Sequence, residues 1–174
     1  FDKVARYLGL GYPGGPAIDR IATEGDPTAI AFPRAMMDDG YDFSFSGLKT
    51  AVLQHVRKNN IAPCASRDEV SQEVRDLLAS FQKAVVDALL RRLKDAVTRH
   101  PCRSVILTGG VAANSRLRSD AKALMEKMGV PLFVPPLALT TDNAAMIGAA
   151  AAVAWSRGVR AGADLEAAPF AQLG

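Results

Sequence analysis

The side chains best placed for chemistry are an asparagine behind a Gly-Gly step, two carboxylates about a glycine turn, and an aspartate ahead of an alanine-rich helix. Asn114 follows the run Ser104-Val105-Ile106-Leu107-Thr108 and then Gly109-Gly110. That run is almost continuously apolar with β-branched members, which predicts a buried parallel strand. Val111 to Met128 keeps helical spacing, with Leu117, Ala121, Leu124, Met125 and Met128 on one face. A strand passing through glycines into a helix brings backbone N–H groups and the positive end of a helix dipole to the strand's carboxyl edge, where open α/β sheets bind anions and nucleotides. Asn114 continues the apolar stripe, so it is expected to point inward, towards the strand end. The position suits a helix cap or a tight turn equally well.

Asp2 and Asp19 flank Gly14-Gly15. Glycines there supply positive φ or admit a ligand against the backbone, and they equally serve a plain interhelical turn. The two carboxylates, by type alone, are ordinary surface groups. Lys49, one turn into a predicted helix, is of a type that neutralises phosphate and is more often solvated. Thr140-Thr141-Asp142-Asn143 precedes Ala144–Trp155. Any of the four can cap that helix, and a carboxylate here caps more often than it binds metal. With four candidates for one cap, Asp142 is free to do something else.

These residues must be positioned by a modest set of elements. The 174 residues, 49% apolar, suffice for one core or two small ones. The net charge of +3 permits an RNA partner without demanding one. Cys64 and Cys102 are far apart and form no CxxC or Cys/His cluster, which fits a reducing cytoplasm. The longest apolar run, Ala144–Trp155, is too short to span a bilayer, and no signal peptide is visible. The chain begins with Phe1 inside a helical pattern, as part of a longer protein would.

Phe1–Leu8 has helical spacing, and Pro16 suits the first position of a second helix running to about Glu24. Gly25–Gly40 reads as a loop. Phe43 and Phe45 alternate with Asp42, Ser44 and Ser46, predicting a short strand with one buried face. Ser46 is the expected N-cap of a helix through about Lys58, buried along Leu48, Ala51, Val52 and Val56. The longest helix is expected from about Arg67 to Arg99 on the stripe Val70, Val74, Leu77, Leu78, Phe81, Val85, Leu89, Leu93 and Val97. Its basic end, Arg91, Arg92, Lys94 and Arg99, complements the helix dipole, with an RNA-backbone patch as the minority alternative. Pro131–Val134 reads as a second parallel strand, and the alanine-rich helix as one packed closely on most sides.

Three separated stretches, FDKVARYLGLGYPGGPAID (1–19), DFSFSGLKT (42–50) and the pair LTGGVAANSRLR (107–118) with PPLALTTDNAAMIGAA (135–150), together resemble the C-terminal half of the tRNA threonylcarbamoyladenosine transferases. The resemblance runs in order over most of residues 1 to 155. It implies an α/β fold: a helix-rich, partial RNase H-like lobe of the actin-like ATPase superfold with a helical insertion. Residues 1–103 would be the helical insertion region, 104–157 the strand–helix–strand–helix core, and 158–174 a tail. The family's activity is acyl transfer, moving threonylcarbamoyl from threonylcarbamoyl-AMP to N6 of the adenosine 3′ of the anticodon in tRNAs reading A-starting codons. By motif, Asp2, Gly15, Asp19 and Asn114 match positions that hold the nucleotide, and Asp142 matches the metal-binding aspartate. One divalent metal is implied, iron first, with zinc or magnesium as the other candidates. The implied partners are tRNA, the N-terminal half of the same protein, and the paralogous and ATPase proteins of the bacterial threonylcarbamoyladenosine complex, all cytoplasmic.

The sequence also departs from the family pattern. The other two metal ligands are histidines of an HxxxH motif, and here only His55 and His100 occur, far apart. The phosphate-facing SGG segment is absent as well. The expectation is therefore more helix than the family name implies, a small or incomplete sheet, and no transfer by this chain alone. The alternatives are a non-catalytic nucleotide-binding scaffold or paralogue partner, and a sugar or acetate kinase-like member of the same superfold.

Overall fold

The computed structural model describes residues 1–34, 40–66, 69–162 and 164. Six α-helices and one pair of parallel strands account for the regular structure among them, with two short 3₁₀ turns. The helices are α1 (Asp2–Tyr7), α2 (Gly14–Ala22), α3 (Ser46–Lys58), α4 (Gln72–Arg99), α5 (Ser115–Met128) and α6 (Ala144–Ser156). The strands are β1 (Val105–Ile106) and β2 (Leu132–Phe133), in register Val105 to Leu132 and Ile106 to Phe133. The molecule is thus helix-rich with a small parallel sheet, as expected from the sequence.

α4 is the spine, and its apolar stripe explains why. Val74, Leu77, Leu78 and Phe81 share one core with Val4, Ala5 and Leu8 of the α1 segment, Ile18 and Ile21 of α2, and Leu48, Val52 and Val56 of α3. Phe1 packs edge-on against Phe81, with ring centroids 5.4 Å apart. α4 packs on α5 as well, where Leu117, Ala121 and Met125 are buried. Ser71 caps α4 by accepting from the Val74 N–H. The expected start at Arg67 lies outside the described residues, as do 35–39 of the predicted loop and most of the tail. At the basic end Arg92 is buried and Arg91 faces Asp95, so the arginines do not form one open patch.

Several expectations are corrected. The strand is shorter than Ser104–Thr108 and is not buried: Ile106 is 69% exposed and its register partner Phe133 60%. Pro131 and Pro135 bracket β2 and supply no N–H to a ladder, which limits the pairing. Gly109 then turns the chain at φ 91°, a backbone that favours glycine, into a 3₁₀ turn over Gly110–Ala113 rather than directly into the helix. α2 begins at Gly14, not Pro16, and ends at Ala22. No strand forms at Phe43–Phe45: the two rings stack on each other, centroids 6.2 Å apart, and both stay exposed. With that approach unpaired, Phe45 takes the cap position of α3 and Ser46 is its first helical residue. No residue of α6 is buried, so the close packing expected of this alanine-rich helix is absent among the described residues.

Candidate functional site

The polar centre of the fold is where α2 meets the start of α5. Asn114 is the N-cap of α5: its Oδ1 accepts from the Leu117 N–H at 2.9 Å. Its Nδ2 donates to Asp19 Oδ1 and to Gln82 Oε1, both at 3.0 Å. Asp19 is further held by Ser115, whose N–H donates to Oδ2 at 3.0 Å and whose hydroxyl donates to Oδ1 at 2.9 Å. A carboxylate at a helix N-terminus is favoured by the dipole and by its free N–H groups. The cap and the inward orientation, both open readings of Asn114 from sequence, are therefore realised together.

Asp2 performs the corresponding task at α2. Its Oδ1 accepts from the Gly14 N–H at 2.7 Å, fastening α1 to the start of α2. Gly14 is required by proximity: a Cβ there would lie 2.5 Å from Ala5 Cβ and 2.8 Å from Asp2 Cα. Gly15, by contrast, has nothing within 4 Å of a built Cβ. It lies one helical turn before Asp19, on the same face of α2. Neither glycine supplies positive φ; that is done by Gly9 and Gly11 in the preceding turn.

Beside this corner is a cleft of about 630 Å³ lined by Asp2, Lys3, Lys49, Phe81 and Leu107 together with Thr108 at the strand end. Gly15, Asp19 and Asn114 are not among its lining residues; Ala112, two residues before Asn114, is. The half-buried Lys49 thus stands with Lys3 and Asp2 at a largely apolar wall. Arg118 braces the same edge, donating from Nε to the Ala112 carbonyl at 2.6 Å and from Nη2 to the Pro135 carbonyl at 2.9 Å.

Asp142 shares no hydrogen bond with these residues and does not line that cleft. Asn143 caps α6, accepting from the Met146 N–H at 3.0 Å, and Asp142 is exposed with no hydrogen bond or ion pair among the described residues. His55 packs edge-on to Phe32 and His100 lies against Tyr41. Among the described residues no three His, Cys, Asp or Glu side chains gather as a metal shell. The described residues therefore do not by themselves fit the implied metal; Asp142 offers one carboxylate. Burial pushes the half-buried Cys64 thiol up, which disfavours a thiolate ligand there. No helix among the described residues is long and apolar enough to cross a membrane.

Gln82 and Ser115 are parts of the corner that the sequence reading missed. The signal for Gln82 was present: it falls between Leu78 and Val86 at i, i+4 spacing, a polar residue on the buried stripe of α4. Ser115 carried no comparable mark.

A carboxylate-and-amide corner beside a strand–turn–helix edge marks a partial α/β unit dominated by helices. The sequence profile of the family described as tRNA N6-adenosine threonylcarbamoyltransferase matches residues 1–149, and the chain belongs to that family. Proteins of that name are 50% identical over 174 residues in Symbiobacterium thermophilum, 49% over 170 in Thermosipho africanus and 48% over 168 in Geobacter metallireducens. The matches cover 100%, 97% and 96% of this chain but 49%, 49% and 48% of those proteins, so the chain spans about half the length of these curated relatives.

Proposed function

We propose that this chain forms one wall of the active site of a tRNA threonylcarbamoyltransferase of the actin-like superfold, and that it needs the remaining half of its relatives' length for transfer. The observation that carries the reading is the corner itself. Asp19, Asn114 and Ser115 are joined by hydrogen bonds across 95 and 96 residues of sequence, one turn from the open space at Gly15. In this reading the ribose hydroxyls of the acyl adenylate donate to carboxylate oxygens of Asp2 and Asp19. Gly15 lets the sugar or base lie against the backbone. Lys3 and Lys49 draw the phosphate into the cleft.

The reaction would be attack of the adenine N6 amine on the threonylcarbamoyl carbonyl: a C–N bond forms, the bond from that carbonyl to the phosphate oxygen breaks, AMP leaves with the electron pair, and the amine gives up one proton to water. A bound divalent metal would supply charge stabilisation for that step. This chain contributes Asp142 alone towards it, and the other ligands belong to the remaining half. Two further observations support that division. Among the described residues, ten of the fourteen exposed large apolar ones fall within 106–159, on β1, β2, α6 and their loops. Parallel strands are ordinarily covered on both faces.

The test is transfer from threonylcarbamoyl-AMP to tRNA by the chain alone and by the chain mixed with the remaining half of the Symbiobacterium relative as a second polypeptide. Transfer is expected from the pair and not from the chain. Equal turnover by the chain alone would overturn the division of the site. AMP binding by the pair without transfer would favour the nucleotide-binding scaffold, and the absence of AMP binding by either would remove the nucleotide role.

A further inference from the structure

Gln82 is 4% exposed and Asn114 8%, and the two are joined by the Nδ2 to Oε1 bond at 3.0 Å. A primary amide has two N–H donors and one carbonyl oxygen. Both donors of Asn114 are committed, one to Gln82 and one to Asp19, and its oxygen already accepts from the Leu117 N–H. Turning the amide over would set its NH₂ against the Leu117 N–H and its oxygen against Oε1 and a carboxylate. With Asp19 alone, one N–H would be left unpartnered in a buried place, a cost that narrows the preference for this orientation over the turned one.

We infer that Gln82 is a positioning residue that fixes the polarity of Asn114, so that the capacity Asn114 retains for a ligand is an oxygen lone pair. An acceptor of that kind recognises a donor, a hydroxyl or an amine N–H, and rejects the oxygens of a phosphate. The inference rests on the nucleotide reading above and deepens it: the Asn114 corner reads the hydroxyl-bearing nucleoside portion of the ligand, and the phosphate lies elsewhere. Gln82 touches no ligand. It acts through Asn114, tying α4 to the junction of α2 with α5.

The experiment uses residues 1–174 by NMR, with AMP and its 2′,3′-dideoxy counterpart as probes. In the unaltered chain, Asn114 is expected to give two separate, slowly exchanging side-chain amide protons and a through-hydrogen-bond coupling from Nδ2 to the Gln82 carboxamide carbon. In Gln82→Met, unbranched and of similar length, one of those protons should exchange about tenfold faster. The preference for AMP over the dideoxy probe should fall about fivefold, the loss of one hydrogen bond. Equal protection of both protons in the variant, or an unchanged preference, would overturn the inference. Failure of both the unaltered chain and its pair with the remaining half to bind AMP would count against the nucleotide reading, while the amide protons still decide the role of Gln82. Should Gln82→Met not fold, absence of the coupling in the unaltered chain overturns the inference by itself.

Discussion

Gly14 and Gly15 are adjacent in sequence and opposite in surroundings. Adding a methyl at Gly14 drives it into Ala5 and the Asp2 backbone, so Gly14→Ala should lower stability by about 1–3 kcal/mol. Gly15→Ala meets nothing, and better helix propensity should hold stability level or raise it by up to about 1 kcal/mol. Denaturant midpoints separate the two. In the proposed site Gly15→Ala should still weaken AMP binding, because the methyl occupies the open space. Asp142 and Asn143 form a second such pair. Asp142→Ala should leave the melting temperature and the exchange of the Met146 amide unchanged, whereas Asn143→Ala should fray the start of α6 at a cost of about 1 kcal/mol. Accelerated Met146 exchange in Asp142→Ala would mean that Asp142 serves the helix after all. The sequence contained these residue types and their order, but not which glycine is pressed and which is open. That depends on how α1 packs on α2, with Ala5, Leu8 and Ile18 in the shared core.

Among the elements, α4 was the most legible, because a regular apolar stripe over many turns outweighs local noise. The strands and the Phe43–Phe45 segment were misread for one physical reason: alternation and apolar runs register the capacity to be buried, and burial needs a neighbour that these residues lack among the described elements. α4 is also tied to the loop before residue 35. Arg34 and Lys83 both reach Asp87, at 2.7 and 2.8 Å. Burial alone would raise the Asp87 carboxyl, but hydrogen bonds and charge from Lys83 and Arg34 outweigh it and hold the group below its ordinary 3.8. The folded chain therefore binds this proton less readily than the unfolded chain, so the stabilisation is complete above the ordinary value and is lost as pH falls through and below it. Thermal melts from about pH 6 down to about pH 3 should show a shallower decline for Asp87→Asn than for the unaltered chain. Parallel declines would mean the trio contributes nothing.

For the molecule as a whole, the corner of the site is assembled from three parts of the chain, α2, α4 and α5, and only the first and last announced themselves through motifs. The exposed apolar surface on β1, β2 and α6 has a direct solution consequence. Patches of this kind associate, so sedimentation at rising concentration should reveal self-association. Ile106→Lys with Phe133→Lys should reduce it while leaving the melting temperature nearly unchanged, since both side chains are already in water. A monomer at all concentrations would show that the patch is too dispersed to act. Arg118, finally, spends its hydrogen bonds on two uncharged carbonyls, Ala112 and Pro135, and makes no ion pair among the described residues. The brace therefore keeps its full positive charge at the carboxyl edge of the sheet. An anion approaching that edge experiences an attraction that reaches beyond contact and fades as added salt shortens the screening length to roughly 10 Å at 0.1 M. Capture at the strand edge should accordingly be fastest in dilute buffer, through a residue that need never touch what it attracts.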